Sequence, residues 1–305
     1  MFRLTPLEAY ATCLLLTASF VGGFYLLPAR VQALPRDNPV HVKARFAVIA
    51  VVCAGAPFIA GHWWGAAGGG DEAPGFWAWL GFRAQGFGYA CVLPLALTAM
   101  LFTGPLVVAY LERRAMRARF GRSAPWLGYA FPNSRPDAPL LALRNLVAGP
   151  FSEELVFRSC MLPLVVGSGA GRLATIVATP LFFGLAHLHH AVGLVRSGQA
   201  TVREAAMRVL FQVGYTTVFG AYAAFVLLRT GHFVAIFLLH SFCNLMGFPS
   251  LGWTFRHHKL YPHRFEIAVA FVTGMVLFAV CMVPMTAPEI YGNGAAWNAG
   301  LADSN

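Results

Sequence analysis

The chain has 305 residues, of which 58% are hydrophobic and 11% are charged, whereas a soluble domain carries about 25% charged residues. This composition excludes an ordinary soluble domain. The formal net charge of +10 does not indicate nucleic-acid binding, because the basic residues cluster in short loops between apolar runs.

Apolar windows long enough to cross a bilayer, about 17 to 25 residues each, recur along the whole chain. They predict an all-α fold, a polytopic transmembrane helical bundle of about eight spans. In chain order, the predicted spans are 8–27, 44–64, 87–111, 150–167, 172–190, 207–229, 233–249 and 265–285. A short amphipathic helix at 139–149 is predicted to lead into the fourth span. The residues after Pro288 are rich in Gly and Asn, which predicts a loosely ordered tail.

The distribution of Lys and Arg predicts how the spans are oriented. With eight spans, four loop regions fall on one side of the membrane and carry fifteen basic residues, whereas the other side keeps four. The positive-inside rule makes the basic side cytosolic. The loops at 28–43 and 112–138 are therefore predicted to be cytosolic, and both termini are predicted to face the opposite compartment.

The stretch PFSEELVFRS, residues 150–159, places three charged residues at the start of the predicted fourth span. An ionisable side chain within the bilayer costs about 2.5 to 3.5 kcal/mol on insertion scales, so it indicates a functional site by default. On a helix, Glu154 and Arg158 share one face and can form an ion pair. Glu153 points to another face and has no partner at local spacing, which makes it the stronger candidate for chemistry.

Polar residues in two later spans have both a structural and a functional interpretation. In FFGLAHLHH, His187 shares a helical face with Phe183, and a lone histidine on an apolar helix is more often a satisfied core residue than a reactive one. In HSFCN, His240 and Asn244 are spaced so that both can face one cavity in the seventh span. The structural alternative is an interhelical hydrogen bond that holds the bundle together.

Convergence in depth favours the functional interpretation. Because the fourth span begins at the cytosolic side and the fifth ends there, Glu153 and His187 are expected at similar depth. His240 lies about midway along its span and comes within reach if the spans pack together. A carboxylate, imidazoles and an amide in one hydrated pocket can activate water and stabilise an oxyanion. These groups suffice for peptide hydrolysis without a Ser or Cys nucleophile.

Three motifs in order carry a family resemblance. SEELVFRS matches the EExxxR motif, FGLAH the FxxxH motif and HSFCN the HxxxN motif of the CAAX protease and abortive-infection (ABI) family. Longer stretches, such as FQVGYTTVFGAYAAFVLLRTGHF, resemble its eukaryotic type II CAAX prenyl protease branch. The resemblance covers roughly residues 140–250, and the first 138 residues match only in hydropathy.

The resemblance implies an endopeptidase of the endoplasmic reticulum membrane whose active site faces the cytosol. Such enzymes remove the last three residues of proteins whose CAAX cysteine is already farnesylated or geranylgeranylated, Ras-like small GTPases among them. It implies a catalytic transmembrane core at 139–288, preceded by N-terminal spans and cytosolic loops at 1–138 and followed by a flexible tail at 289–305. No cofactor and no nucleic-acid partner are implied.

The resemblance also implies roles for individual residues. Glu153 and His187 would activate the water, while His240 and Asn244 would hold the oxyanion. The residues that would support or position this group are Glu154, Arg158 and Phe183. If Glu154 and Arg158 do not pair, Arg158 would be available for another task, such as meeting the terminal carboxylate of the substrate.

Two other readings stay open. Glu153, His187 and His240 could form the two-His, one-Glu set of a catalytic zinc ion, although no HExxH motif is present. The six cysteines form no CxxC pair and indicate neither a disulfide framework nor a cysteine-rich metal site. The other reading is a non-catalytic membrane transporter or scaffold with this fold, but the internal repeats common in transporters are not found.

Overall fold

The computed structural model describes residues 4–65, 75–121, 138–188, 193–195, 198–249 and 260–293. Within these residues the fold is all-helical and contains no β-strand, as predicted. The main helical segments are α1 (Pro6–Tyr25), α2 (Pro39–Gly61), α3 (Phe87–Leu101), α4 (Thr103–Phe120), α5 (139–167), α6 (Arg172–His187), α7 (Val202–Thr230), α8 (Phe233–Met246) and α9 (Arg264–Met285). Short helical turns lie at Ala29–Gln32, Phe76–Trp79, Tyr261–His263 and Pro288–Tyr291.

Local sequence signals set several helix ends. α1 begins after Thr5, which forms a capping box with Glu8 and so satisfies N–H groups of the first turn. A second capping box, at Thr201, begins α7. α7 ends at Gly231, which has a φ of +67°. Glycine adopts this left-handed conformation without strain, whereas a Cβ would be disfavoured there and would also lie 2.6 Å from Nη1 of Arg83.

The helices have the length and composition of a multi-pass membrane protein, which confirms the predicted fold class. Among the described residues, four helices are each long and apolar enough to cross a membrane: α1, α2, α7 and α9 together with the short turn before it, Tyr261–Met285. α3 and α4 together form a fifth candidate, and α6 and α8 are shorter apolar helices. Leu210, Val218 and Val276 are among the large apolar side chains exposed on the outside of the bundle, as expected for helices that face lipid.

The helices differ from the predicted segments at two places. The predicted third span, 87–111, breaks at Phe102, where α3 and α4 meet at a bend of 76°. Pro105 explains the break, because it lacks the N–H that would bond to the carbonyl of Leu101 and so continue α3. The expected amphipathic helix at 139–149 and the predicted fourth span, 150–167, are continuous and form the single helical segment α5.

The expectation of a loosely ordered tail after Pro288 is wrong for residues 289–293. Tyr291 is fully buried, and Asn293 is nearly so. Nη1 of Arg83 donates a hydrogen bond of 2.6 Å to Oδ1 of Asn293. A Gly- and Asn-rich composition favours disorder only where the polar groups have no fixed partners, and here Arg83 supplies one. The rest of the tail lies outside the described residues.

α5 lies at the centre of the bundle because it belongs to two apolar clusters. One cluster joins α5 to α1, α2 and α6, and the ring of Phe157 packs at 5.2 Å from Phe20 and 5.1 Å from Phe183. The second cluster joins α5 to α3, α7 and α8. The first cluster therefore contains residues from both sides of the expected boundary at residue 138, and the N-terminal helices pack directly against the segment that carries the glutamates.

Candidate active site

Two π-helical turns flank the segment of α5 that carries the glutamates, Arg144–Ala148 before it and Leu155–Cys160 after it. π-helical turns are rare and occur frequently at functional sites. The first turn precedes Pro150, which lacks an N–H and crowds the carbonyl of the preceding turn, so a widened turn keeps the helix continuous. Gly149 is required here, because a Cβ would lie 2.9 Å from the carbonyl oxygen of Arg144.

Glu154 links Arg158 to His240. Its Oε1 atom accepts a hydrogen bond of 3.1 Å from Nη1 of Arg158 and one of 2.6 Å from Nδ1 of His240. The side chains of Glu154 and Arg158 are fully buried, so each compensates the charge of the other where water cannot. The predicted ion pair is confirmed. Arg158 is fully buried beside Glu154 and is not part of the pocket lining, so it is not placed to meet a substrate carboxylate.

Glu153 points away from this pair, as its position on the helix predicts, and its side chain lines a pocket. The carboxylate is 27% exposed, and its Oε2 atom lies 3.7 Å from Nε2 of His240. His240 therefore stands between the two glutamates. When protonated, its ring carries an N–H on both nitrogens and can face both carboxylates. Local spacing could not predict this contact, because His240 comes from α8.

His187 is the last residue of α6 and lines the same pocket. Its Nδ1 atom lies 2.7 Å from the carbonyl oxygen of Phe183. A carbonyl can only accept, so Nδ1 carries the hydrogen and the neutral ring has its lone pair on Nε2. The ring of Phe183 packs edge-on against His187 at 4.6 Å and lies under the guanidinium of Arg158 at 4.3 Å. Phe183 thus orients His187 and contacts the buried ion pair.

Asn244 also lines the pocket, near the end of α8. Its Nδ2 atom donates a hydrogen bond of 2.9 Å to the backbone carbonyl of Asn145, which belongs to the first π-helical turn. The bond fixes the orientation of the amide. Glu153, His187 and Asn244 therefore line one pocket, and His240, which is 7% exposed, lies beside it with Nε2 at 3.7 Å from Oε2 of Glu153.

The pocket is a cavity of about 230 Å³ at the end of the bundle where α1 ends and α2 begins. The two N-terminal helices supply an apolar wall, formed by Phe20, Val21, Phe24, Phe46 and Ile49. Two arginines, Arg45 and Arg144, line it as well. These two arginines were not predicted from the sequence to lie in the site. Arg45 falls inside the predicted second span, 44–64, and a charged residue within a span indicates a functional site.

Zinc bound by Glu153, His187 and His240 is the alternative to a metal-free site. Among the described residues, no three His, Cys, Asp or Glu side chains form a group that could hold a metal ion. The polar contacts of Glu153 and His240 are instead with each other and with Glu154, and Nδ1 of His187 bonds to a backbone carbonyl. Metal dependence stays a prediction for experiment.

A model of the family described as "Type II CAAX prenyl endopeptidase Rce1-like" matches residues 135–246. This range contains all the residues that the three motifs singled out, from Glu153 to Asn244. It contains neither α1 nor α2, which form the apolar wall of the pocket.

Full-length relatives extend the similarity beyond the motif region. The chain is 36% identical to CAAX prenyl protease 2 of Homo sapiens over 282 residues, which covers 92% of this chain and 82% of the relative. It is 32% identical to CAAX prenyl protease 2 of Rattus norvegicus over 92% of this chain and 81% of the relative, and 33% identical to that of Arabidopsis thaliana over 70% and 68%. No solved structure gives a significant match. Since the human relative is matched over most of both chains, the protein belongs to the CAAX prenyl protease 2 family of type II CAAX prenyl endopeptidases.

Proposed function

We propose that this protein is an intramembrane endopeptidase that removes the last three residues, aaX, from farnesylated or geranylgeranylated CAAX proteins. The names of its relatives support this class of substrate. The observation that carries the proposal is the meeting of Glu153, His187 and Asn244, from three different helices, at one pocket. A carboxylate base, an imidazole and an amide donor are the groups that peptide hydrolysis by water needs.

Glu153 and His187 activate the water. Glu153 takes a proton from the water while the water oxygen bonds to the carbonyl carbon of the scissile peptide and an electron pair moves to the carbonyl oxygen. The lone pair on Nε2 of His187 accepts the second hydrogen of the water and orients it. Collapse of the tetrahedral intermediate breaks the C–N bond, and the leaving amine receives the proton that Glu153 holds.

His240 and Asn244 stabilise the oxyanion. The carboxylate of Glu154 accepts from Nδ1 of His240 at 2.6 Å, so the ring can donate to the oxyanion only with a second proton on Nε2. Glu154 stabilises that imidazolium, and Arg158 holds Glu154 in place. Glu154 and Arg158 are therefore positioning residues, which act on the oxyanion through His240.

The membrane context follows from the same proposal. The substrates are prenylated CAAX proteins such as Ras-like small GTPases, whose lipid chain stays among the apolar outer faces of the helices. The enzyme lies in the endoplasmic reticulum membrane, with the pocket at the cytosolic face. The pocket lies beside the connection between α1 and α2, and the basic residues of the predicted loop at 28–43 support a cytosolic position for that connection.

The proposal is tested with purified protein reconstituted in lipid vesicles and a farnesylated peptide that ends in a CAAX sequence. We expect release of the last three residues as one intact tripeptide, identified by mass spectrometry. Stepwise release of single residues would contradict an endopeptidase, and no release from any prenylated peptide would favour the transporter or scaffold alternative. Metal analysis of the active preparation tests the zinc alternative. A stoichiometric zinc ion whose removal abolishes cleavage would contradict the metal-free mechanism.

A further inference from the structure

The pocket that contains Glu153 carries more positive charge than water activation requires. Arg45, near the start of α2, and Arg144, in the first π-helical turn of α5, both line it. Charged side chains in a membrane-spanning helix are rare and mark functional pathways or sites. Two arginines at one small cavity are therefore expected to have anionic partners.

Arg144 has its partners within the protein. Its Nη1 atom forms a salt bridge of 2.9 Å with Oδ1 of Asp37, and its Nε donates to Oδ1 of Asn145 at 3.0 Å. It also donates to the backbone carbonyl of Arg36 at 3.2 Å. These bonds fix Arg144 at the rim of the pocket and use most of its donors.

Arg45 is different. Its guanidinium stacks over the ring of Phe24 at 3.8 Å, which holds the group flat against the pocket wall. In the part of the chain that the structure describes, no carboxylate lies within salt-bridge distance of it. It interacts electrostatically with two cations, Arg36 and Arg144, and with the carboxylate of Glu153. Arg45 is thus a positioned cation in the electrostatic range of two other cations and one carboxylate, and its guanidinium has hydrogen-bond donors to spare among the described residues.

An anion that binds Arg45 would relieve this repulsion, and the substrate brings one. In an enzyme that removes the last three residues, the free C-terminal carboxylate lies no farther than about 11 Å from the scissile bond, the reach of three extended residues. The cation that receives it must therefore line the same pocket as Glu153. Guanidinium groups bind carboxylates through two parallel hydrogen bonds, which also fixes orientation.

We propose that Arg45 binds the free α-carboxylate of the last residue of the substrate, and so measures the distance from the C-terminus to the scissile bond. This inference rests on the proposed function and deepens it. Arg158, the arginine of the EExxxR motif, is not placed for this role, because it is fully buried and is not part of the pocket lining. Phe24 stacks on Arg45 and holds the guanidinium at the wall of the same cavity.

The test compares two farnesylated peptides of one sequence, one with a free C-terminal carboxylate and one with a C-terminal amide. For the unmodified enzyme, we expect the amide to raise KM by about 10- to 100-fold, the range of a hydrogen bond to a charged group, with kcat little changed. In Arg45→Met, the acid peptide should show the same rise in KM, while the rate on the amide peptide stays that of the unmodified enzyme. Arg45→Lys should recover part of the preference for the acid.

The matched control is Arg30→Met, which removes an exposed arginine from the short helix after α1 and should keep the full preference for the acid. Equal cleavage of acid and amide by the unmodified enzyme would overturn the proposal. An Arg45→Met variant that loses kcat equally on both peptides would also overturn it, because Arg45 would then act on Glu153 or on the fold. If the unmodified enzyme cleaves neither peptide, the proposed function fails, and the two failures are thereby distinguished.

Discussion

Neighbouring glutamates on one helix have different environments because a helix turns by about 100° per residue. Glu154 faces the bundle interior, where Arg158 and His240 both bond to its Oε1 atom. Glu153 faces the pocket and is partly exposed. A fully buried carboxylate bonded to an arginine and a histidine is a poor base, whereas one beside a cavity can reach a water molecule. The offset of one residue therefore gives the two glutamates different surroundings, and we expect only Glu153 to act as the base.

The buried pair gives the first prediction. Glu154→Leu leaves Arg158 as a buried cation without a carboxylate, and breaking such a pair typically costs about 3 to 5 kcal/mol. Arg158→Leu should cost less, since Glu154 keeps its hydrogen bond with His240. The double variant should be more stable than Glu154→Leu alone, because no unpaired charge remains.

Thermal unfolding in detergent measures all three variants, and a double-mutant cycle gives the coupling between the two residues. A double variant whose loss equals the sum of the single losses would show that the pair contributes no coupling energy. Hydrolysis should be slowed in every one of these variants, because each disturbs the position of His240.

The sequence predicted these residues well where a single helix decides the contact. The Glu154–Arg158 pair follows from a separation of four residues, and so does the shared face of Phe183 and His187. The contact of His240 with both glutamates could not be predicted from the sequence, because it depends on how α8 packs against α5. The same holds for Arg45, whose place in the pocket is set by the packing of α2.

At the scale of a helix, the π-helical turn before the glutamates is maintained by a glycine. In an ordinary helix, Gly→Ala stabilises by about 1 kcal/mol. At Gly149, the new Cβ would lie 2.9 Å from the carbonyl oxygen of Arg144, so the turn must shift. We expect Gly149→Ala to lose about 1 to 3 kcal/mol of stability, as overpacking does, and to slow cleavage because the carbonyl that holds Asn244 moves.

The control is Gly55→Ala in α2, where nothing lies within 4 Å of the added Cβ. This variant should be as stable as the unmodified protein or slightly more stable, with unchanged turnover. Thermal unfolding and the peptide assay measure both variants. If Gly149→Ala behaved like Gly55→Ala, the tight turn before the glutamates would not be needed for the site.

Helix types and approximate positions follow from hydropathy, but breaks and joins do not. A continuous apolar run predicts one span at 87–111, although Pro105 interrupts its hydrogen-bond ladder and α4 leaves α3 at 76°. Conversely, Pro150 indicates a helix start, yet the widened turn before it lets α5 run from Pro139 onwards. Proline marks a weakened bond, and tertiary packing decides whether the helix bends there or adapts.

At the scale of the whole molecule, the pocket should open to the cytosol. We expect a membrane-impermeant maleimide to label Ala33→Cys and Ala118→Cys in intact microsomes, in a background without native cysteines. Ala84→Cys, in the connection before α3, should react only after the membrane is permeabilised. All three alanines are exposed on the protein surface. Labelling of Ala33→Cys and Ala118→Cys from opposite sides would contradict the eight-span arrangement.

The most direct test of the central claim, that Glu153 activates water for peptide hydrolysis, is the turnover of Glu153→Gln in the reconstituted peptide assay. The amide has the shape of the carboxylate but cannot accept a proton in the same way, so we expect kcat to fall by about 10² to 10⁴-fold. The midpoint of thermal unfolding should stay near that of the unmodified protein, since Glu153 is partly exposed. Glu266→Gln, which changes an exposed glutamate on α9, should retain full turnover. Substantial turnover by Glu153→Gln would contradict the claim and remove Glu153 as the base.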